Sequence, residues 1–346
     1  MTKIISNVRL FRITLNQTLP FILGILISSF AFTSCTDDMQ GNDISPVMDS
    51  QGKTIELAPE PEEWIHIEGT PRAELRTTEA PGVDRGRFNI SLKYVVPVTE
   101  RQQEVFEAAA ARWERIIIGD VPSFTGTLPS AFNGFPPAVD GTLDDILIEV
   151  ALAPIDGPGG ILGQAGPRFV RTSDFLTLSG VMFFDVADLD FLEQLDLFEE
   201  VIVHEMGHVL GVGTLWGFQN DLLQDPNGNP YFAGRTANVH WNAEGGSGEL
   251  PIEDIGGPGT RLGHWRESVL RNELMTGFLN LGENPLSRIT AGSMRDLGYK
   301  TAIVGDRYDL PEGATGVEID QASAGEGLNI GEMEVTLMPI GSVSSN

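Results

Sequence analysis

The stretch FEEVIVHEMGHVLGVG, Phe198 to Gly213, constrains this chain more than any other part of it. Its apolar spacing predicts a long helix. His204 and His208 are four residues apart, so a helix puts both imidazoles on one face. Apolar residues run up to the pair, which argues against two surface histidines on an amphipathic helix. Gly211 follows three residues after His208. A glycine there can end the helix in a left-handed conformation and let the chain turn back.

The pattern His-Glu-x-x-His has a chemical reading. Two imidazoles on one helical face can reach a single zinc ion. Glu205, between them, is not expected to be a ligand. Its natural task is to take a proton from water on the zinc and pass it to a leaving amine. A third ligand must come from elsewhere. In the common metzincin pattern, which HExxHxxG resembles, a third histidine comes three residues after the glycine; here that position is Thr214, and threonine is a poor neutral-pH ligand. Three histidines remain: His66, His240 and His264. His66 falls in a polar N-terminal stretch. His240 and His264 each precede a tryptophan, and composition does not rank them.

Around this helix the pattern is mixed. FNISLKYVV (Phe88 to Val96) alternates as a strand should. Arg101 to Ile118 is an amphipathic helix that Thr99 can cap, with Val105, Phe106, Ala109, Trp113, Ile116 and Ile117 on one side. Strands are expected over Asp144 to Ile155 and over Gly180 to Val186. A short edge strand is expected near Gly163 to Arg171, because Pro167 suits a central position poorly. Asp185, Asp188 and Asp190 read as turn and cap residues. Strands interleaved with two long helices argue for an α+β fold with a mixed sheet. Past Gly213 the sequence looks irregular, with a short helical stretch from Glu267 to Leu279. Residues 301–346 form a C-terminal extension, in which VEIDQ and MEVTLMPI are candidates for a hairpin.

HExxHxxG at His204, Glu205, His208 and Gly211, followed by HW at His264 and ELMTG at Met275, resembles the leishmanolysin (gp63-like) peptidases. ITAGSMRDLGY, Ile289 to Tyr299, is similar to that family's closing segment, and the resemblance spans roughly residues 88 to 300. It implies a metzincin-like zincin fold. Residues 87–213 would be an upper catalytic subdomain, with a twisted mixed sheet and two long helices. Residues 214–300 would be a lower, irregular one. The resemblance carries His264 as third zinc ligand and Met275 as the Met-turn residue beneath the metal. Without it, Met275 reads as an ordinary core methionine. It also implies a zinc metalloendopeptidase, with a peptide or protein substrate lying along an edge strand. The alternative is a catalytically silent binding or adhesion lipoprotein on the same scaffold, against which the intact Glu205 argues. The family's well-known eukaryotic members are rich in disulfides and use a pro-region cysteine to block the zinc. Here Cys35 is the only cysteine, so that form of latency is absent.

The N-terminus predicts export. Lys3, Arg9 and Arg12 precede the apolar run Leu19 to Phe32, which is the length of a signal-peptide core rather than of a spanning helix. FTSC then resembles a bacterial lipoprotein box. Residues 1–34 are read as the signal peptide and Cys35 as a lipid-bearing residue that anchors the protein to the cell or outer membrane. Residues 35–86 are read as an acidic tether or short pro-segment, although EEWIHIEG around Trp64 has the apolar content to pack on the body.

The formal net charge of −27, from 49 acidic and 22 basic residues, excludes a nucleic-acid partner. It leaves room for calcium. Asp221, Asp225, Asn227 and Asn229 place alternate oxygens around a glycine, although no closing glutamate follows and a polar turn is the plainer reading.

Overall fold

Why residues 100–116 form a helix is visible at its first turn. The Thr99 hydroxyl accepts a hydrogen bond from the Gln102 backbone N–H, and the Gln102 side-chain oxygen accepts one from the Thr99 backbone N–H. This capping box satisfies two donors that a helix end would leave orphaned. The computed structural model describes residues 54–70, 86–218, 221–310, 316–317 and 327–344. The signal segment, Cys35 and much of the acidic stretch lie outside the described residues. Among the described residues no helix is long and apolar enough to cross a membrane.

The elements run β1 (Ile65–Glu68), β2 (Ile90–Tyr94), α1 (Glu100–Ile116), β3 (Phe124–Leu128), β4 (Val139–Leu143), β5 (Ile146–Ala153), β6 (Gly163–Arg171), β7 (Thr177–Asp185), α2 (Val186–Gln194) and α3 (Phe198–Leu210). Then come β8 (Leu223–Gln224), β9 (Tyr231–Phe232), α4 (Arg235–Ala243), β10 (Leu250–Pro251), α5 (Glu267–Leu270), β11 (Leu279–Asn280) and α6 (Arg288–Leu297). The C-terminal part adds β12 (Gly316–Val317), β13 (Gly327–Leu328), β14 (Glu334–Thr336) and β15 (Gly341–Ser344). The fold is mixed α and β, built on one mixed sheet in the order β1-β15-β6-β7-β5-β2, with β14 also on β6. β2, β5 and β7 are mutually parallel, and β6 runs antiparallel to β7.

Period-two alternation distributes the core to both faces of the sheet. Ile148, Val150 and Leu152 of β5, with Met182 and Phe184 of β7, pack in the cluster that holds α1 and α3. Their neighbours Ala151, Ala153, Val181 and Phe183 join Ile55, Phe132 and Leu337 in a second cluster. Trp113 of α1 is fully buried, and its indole N–H donates to the Val203 carbonyl of α3 at 2.9 Å. That bond fixes the spacing of the two long helices.

Several expectations need correction. β6 is not an edge strand, because β14 and β15 cover the side opposite β7. Pro167 is tolerated because β14 pairs only as far as Ala165 and β15 resumes at Phe169, with a register shift against β7 at the same place. The hairpin expected of VEIDQ and MEVTLMPI falls largely outside the described residues, but the MEVTLMPI half has a partner elsewhere. Its Glu334–Thr336 portion pairs in parallel with Gly163–Ala165 instead; Glu318 to Gln321 lie outside the described residues. The helix expected over Glu267 to Leu279 lasts only to Leu270, since Arg271 takes a φ of 52°. The stretch EEWIHIEG does pack on the body: Ile65 to Glu68 pair with Gly341 to Ser344.

Candidate metal centre

α3 delivers His204 and His208 with their Nε2 atoms 3.0 Å apart. The turn that follows explains how a third imidazole reaches them. Gly211 ends the helix at φ 120°, and its N–H closes back on the Gly207 carbonyl. Gly213 has φ 74°, and a Cβ there would lie 2.1 Å from the Gly263 carbonyl oxygen. Only glycine permits that backbone-to-backbone approach, and Gly263 immediately precedes His264. The His264 Nε2 comes to rest 3.1 Å from both other Nε2 atoms. The next residue locks it in place. Trp265 stacks on Trp216 at 4.5 Å between ring centroids, and its indole N–H donates to Thr290.

Hydrogen bonding sets the tautomers. The Nδ1 of His204 meets the Leu274 carbonyl at 2.7 Å, that of His208 the Val212 carbonyl at 2.9 Å, and that of His264 the Thr260 carbonyl at 3.1 Å. A carbonyl only accepts, so each Nδ1 must donate, which leaves each Nε2 as the free lone pair. Three buried lone pairs converging at this range repel one another unless a cation sits among them. Ligands placed tetrahedrally around zinc lie about 3.3 Å apart, so the spacing fits a metal ion.

A fourth group, absent from the sequence-level site, completes the set. Glu334 is buried with one carboxylate oxygen 2.8 Å from His264 Nε2 and the other 3.2 Å from His204 Nε2 and 3.7 Å from His208 Nε2. His204, His208, His264 and Glu334 therefore form a buried group able to hold a metal ion. Burial alone would raise the Glu334 carboxyl. The three imidazoles, His264 foremost, hold it well below the ordinary range instead. Burial, together with the other two rings, drives His208 down to about 3 against the pull of Glu334. Burial also opposes charge on His264, yet Glu334 raises its pKa above the usual value. The opposite shifts have one origin, the crowding of one carboxylate and three imidazoles in a buried space.

Glu205 is wholly buried beside this group, and neither of its oxygens meets a hydrogen-bond partner of good geometry. Burial, then the facing Glu334 carboxylate, push it well above the usual carboxylate range. A Cβ on Gly163, at the start of β6, would lie 3.6 Å from its Oε1. The carboxyl thus sits between α3 and the first residue of that strand.

Met275 is buried against α3. A side chain at Gly207, between the two helix histidines, would meet the Met275 sulfur at 2.8 Å and Trp113 at 2.9 Å. Glu273 holds this turn: its carboxylate accepts from the Met275 backbone, from both the backbone and hydroxyl of Ser287, and from the Thr290 hydroxyl. Burial keeps its pKa raised despite those donors. Glu273→Ala strands all of them in the interior. We expect a loss of about 3 kcal/mol or more in urea denaturation; a loss below about 1 kcal/mol would mean the donors find other partners.

His240, on α4, is half-buried and takes no part in the group, and His66 is exposed on β1 beside Ser342. Asp185 caps α2 and accepts three further backbone N–H groups from Ile155, Asp156 and Gly157; Asp188 accepts one from Gly159. In the loop considered for calcium, Asp225 pairs with Arg261 at 2.8 Å and Asn229 accepts from Arg266 at 3.1 Å. Guanidinium groups therefore occupy oxygens that a cation would need.

Glu334, Gly213 and Glu273 are the residues that sequence reasoning misses. Gly213 carries the one readable signal, a second glycine just past the helix end. The sequence matches no protein-family model, and no curated protein matches it either.

Proposed function

We propose that the chain is a zinc-dependent endopeptidase of metzincin-like fold, related in its site to the leishmanolysin kind and acting on extracytoplasmic proteins. The observation that carries this reading is the convergence of three buried Nε2 atoms with the buried Glu205 carboxyl beside them. Three imidazoles with one carboxylate suit zinc better than the harder divalent cations, which prefer oxygen ligands throughout. Bound there, zinc would polarise a scissile carbonyl and make water acidic enough to ionise near neutral pH.

The chain's own residues supply the rest. Glu205 takes a proton from the attacking water and returns it to the leaving amine. β6 would offer main-chain groups to an extended substrate only when β14 and β15, which cover its outer side, move away. Export and lipid anchoring through Cys35 belong to the same proposal and rest on the sequence.

One observation favours a second reading. With Glu334 the metal would have four protein ligands, and closed centres are typically structural. A structural centre has no use for Glu205, whose burial without a partner is costly.

The test is metal content and cleavage on the full chain. One zinc per chain is expected, with hydrolysis of an unfolded protein that stops with a chelator and returns with zinc. A folded chain that takes up no zinc, or cleavage indifferent to the chelator, would overturn the reading.

A further inference from the structure

The C-terminal segment occupies the place a substrate would need. From Glu334 to Thr336 it pairs with Gly163 to Ala165, and from Gly341 to Val343 with Phe169 to Arg171. Between these stretches the Leu337 N–H donates to Ala165 and the Ile340 N–H to Arg168. The outer side of β6 is thereby covered along its length. Gly166 permits the close approach, since a Cβ there would lie 2.0 Å from the Leu337 carbonyl oxygen.

The same segment is also tied to the opposite wall, the stretch that carries His264 and Met275. Thr336 donates to the Gly259 carbonyl, Thr260 donates to the Gly331 carbonyl, and the Gly331 N–H donates to Gly277. The segment spans the site from one wall to the other. At the crossing it presents the Glu334 carboxylate to the three imidazoles. A side-chain carboxylate offers no scissile bond, so the segment can sit there without being cut.

Resting on the peptidase reading, we propose that Glu332–Ser344 is a tethered inhibitor. Glu334 acts as fourth metal ligand in the position substrate and water require, and the enzyme is latent until that residue leaves. The device differs from a cysteine-based block in two respects. The blocking atom is an oxygen, and the segment lies C-terminal to the catalytic residues.

The decisive comparison uses the full chain loaded with Co(II), as wild type, Glu334→Ala and Glu334→Gln, with Glu104→Ala on the exposed side of α1 as a control. Three quantities are read: the visible spectrum with solvent proton relaxation, the affinity for acetohydroxamate, and the cleavage of an unfolded protein by the zinc-loaded chain. Glu334→Ala should change the spectrum and open a position to exchanging water. Hydroxamate affinity and cleavage should each rise at least ~10-fold, since the competent population is no longer held back by the bound carboxylate. Glu334→Gln, which keeps the shape but ligates weakly, should fall between, and it carries the test if the alanine variant does not fold. Glu104→Ala should match the wild type. Spectrum and hydroxamate affinity unchanged in Glu334→Ala would overturn the proposal. So would equal cleavage with and without Glu334, which leaves the peptidase reading standing. A site that opens in Glu334→Ala yet cleaves nothing overturns the peptidase reading and leaves Glu334 as the closing ligand.

Discussion

Glu205→Gln, made in the Glu334→Ala background so that the site is open, should lower kcat by roughly 100- to 10,000-fold, the range spanned by a positioned acid-base group. The amide has almost the shape of the carboxyl but cannot take up a proton. Metal content should not change, because Glu205 is not among the residues that form the metal-holding group. The folded chain should be no less stable than its parent. Glu205 is fully buried with no well-placed partner, so its charged form is penalised where it stands. Quenched steady-state assays at matched metal occupancy measure the loss. If the variant cleaves as fast as its parent, Glu205 is not the proton carrier and the mechanism has to be rebuilt around another group.

The part of this centre that is legible in the sequence is the local part. His204 and His208 announce themselves because helix periodicity converts a spacing of four into a shared face. Gly211 is legible for a similar reason: a helix end needs a residue that tolerates positive φ. α1 is readable from Thr99 and its stripe of apolar residues, and β5 and β7 from their continuous apolar runs.

What escapes is long-range. Glu334 lies 130 positions from His204, in a stretch whose alternation suggests a local hairpin. Its real partner, β6, was hidden because Pro167 looked like the mark of an edge. A proline is compatible with a covered strand when the covering strands break where its N–H is missing, and only the tertiary arrangement reveals that. The β3–β4 hairpin is missed because FTGTL and VDGTL carry glycine and threonine with little apolar contrast. α2, α4 and α6 are only nine, nine and ten residues long, too short to be stable alone, so they depend on packing that the sequence does not display.

The choice between the two His-Trp pairs gives the second large effect. His264→Ala should weaken zinc binding by more than ~100-fold, beyond the 10- to 100-fold typical of losing an outer-shell partner. It removes one of three converging Nε2 atoms and leaves two imidazoles facing Glu334. The ring's own anchor, its Nδ1 bond to Thr260, goes with it. His240→Ala should change affinity by less than about 2-fold, the scale of an ordinary surface substitution. His240 sits half-buried on α4, where burial, followed by the Arg288 charge, lowers its pKa. Its partner Trp241 packs in the core but leads to no imidazole near the site, whereas Trp265 is held by Trp216, Phe232 and Thr290 directly behind His264. The two tryptophans therefore play different parts despite their identical sequence context. Competition titration with a chromophoric chelator measures both variants on one scale. Equal losses, or a larger loss in His240→Ala, would overturn the assignment of the third ligand. The predicted order would tie metal affinity to the Gly213–Gly263 backbone contact, the feature that brings the third ring within reach.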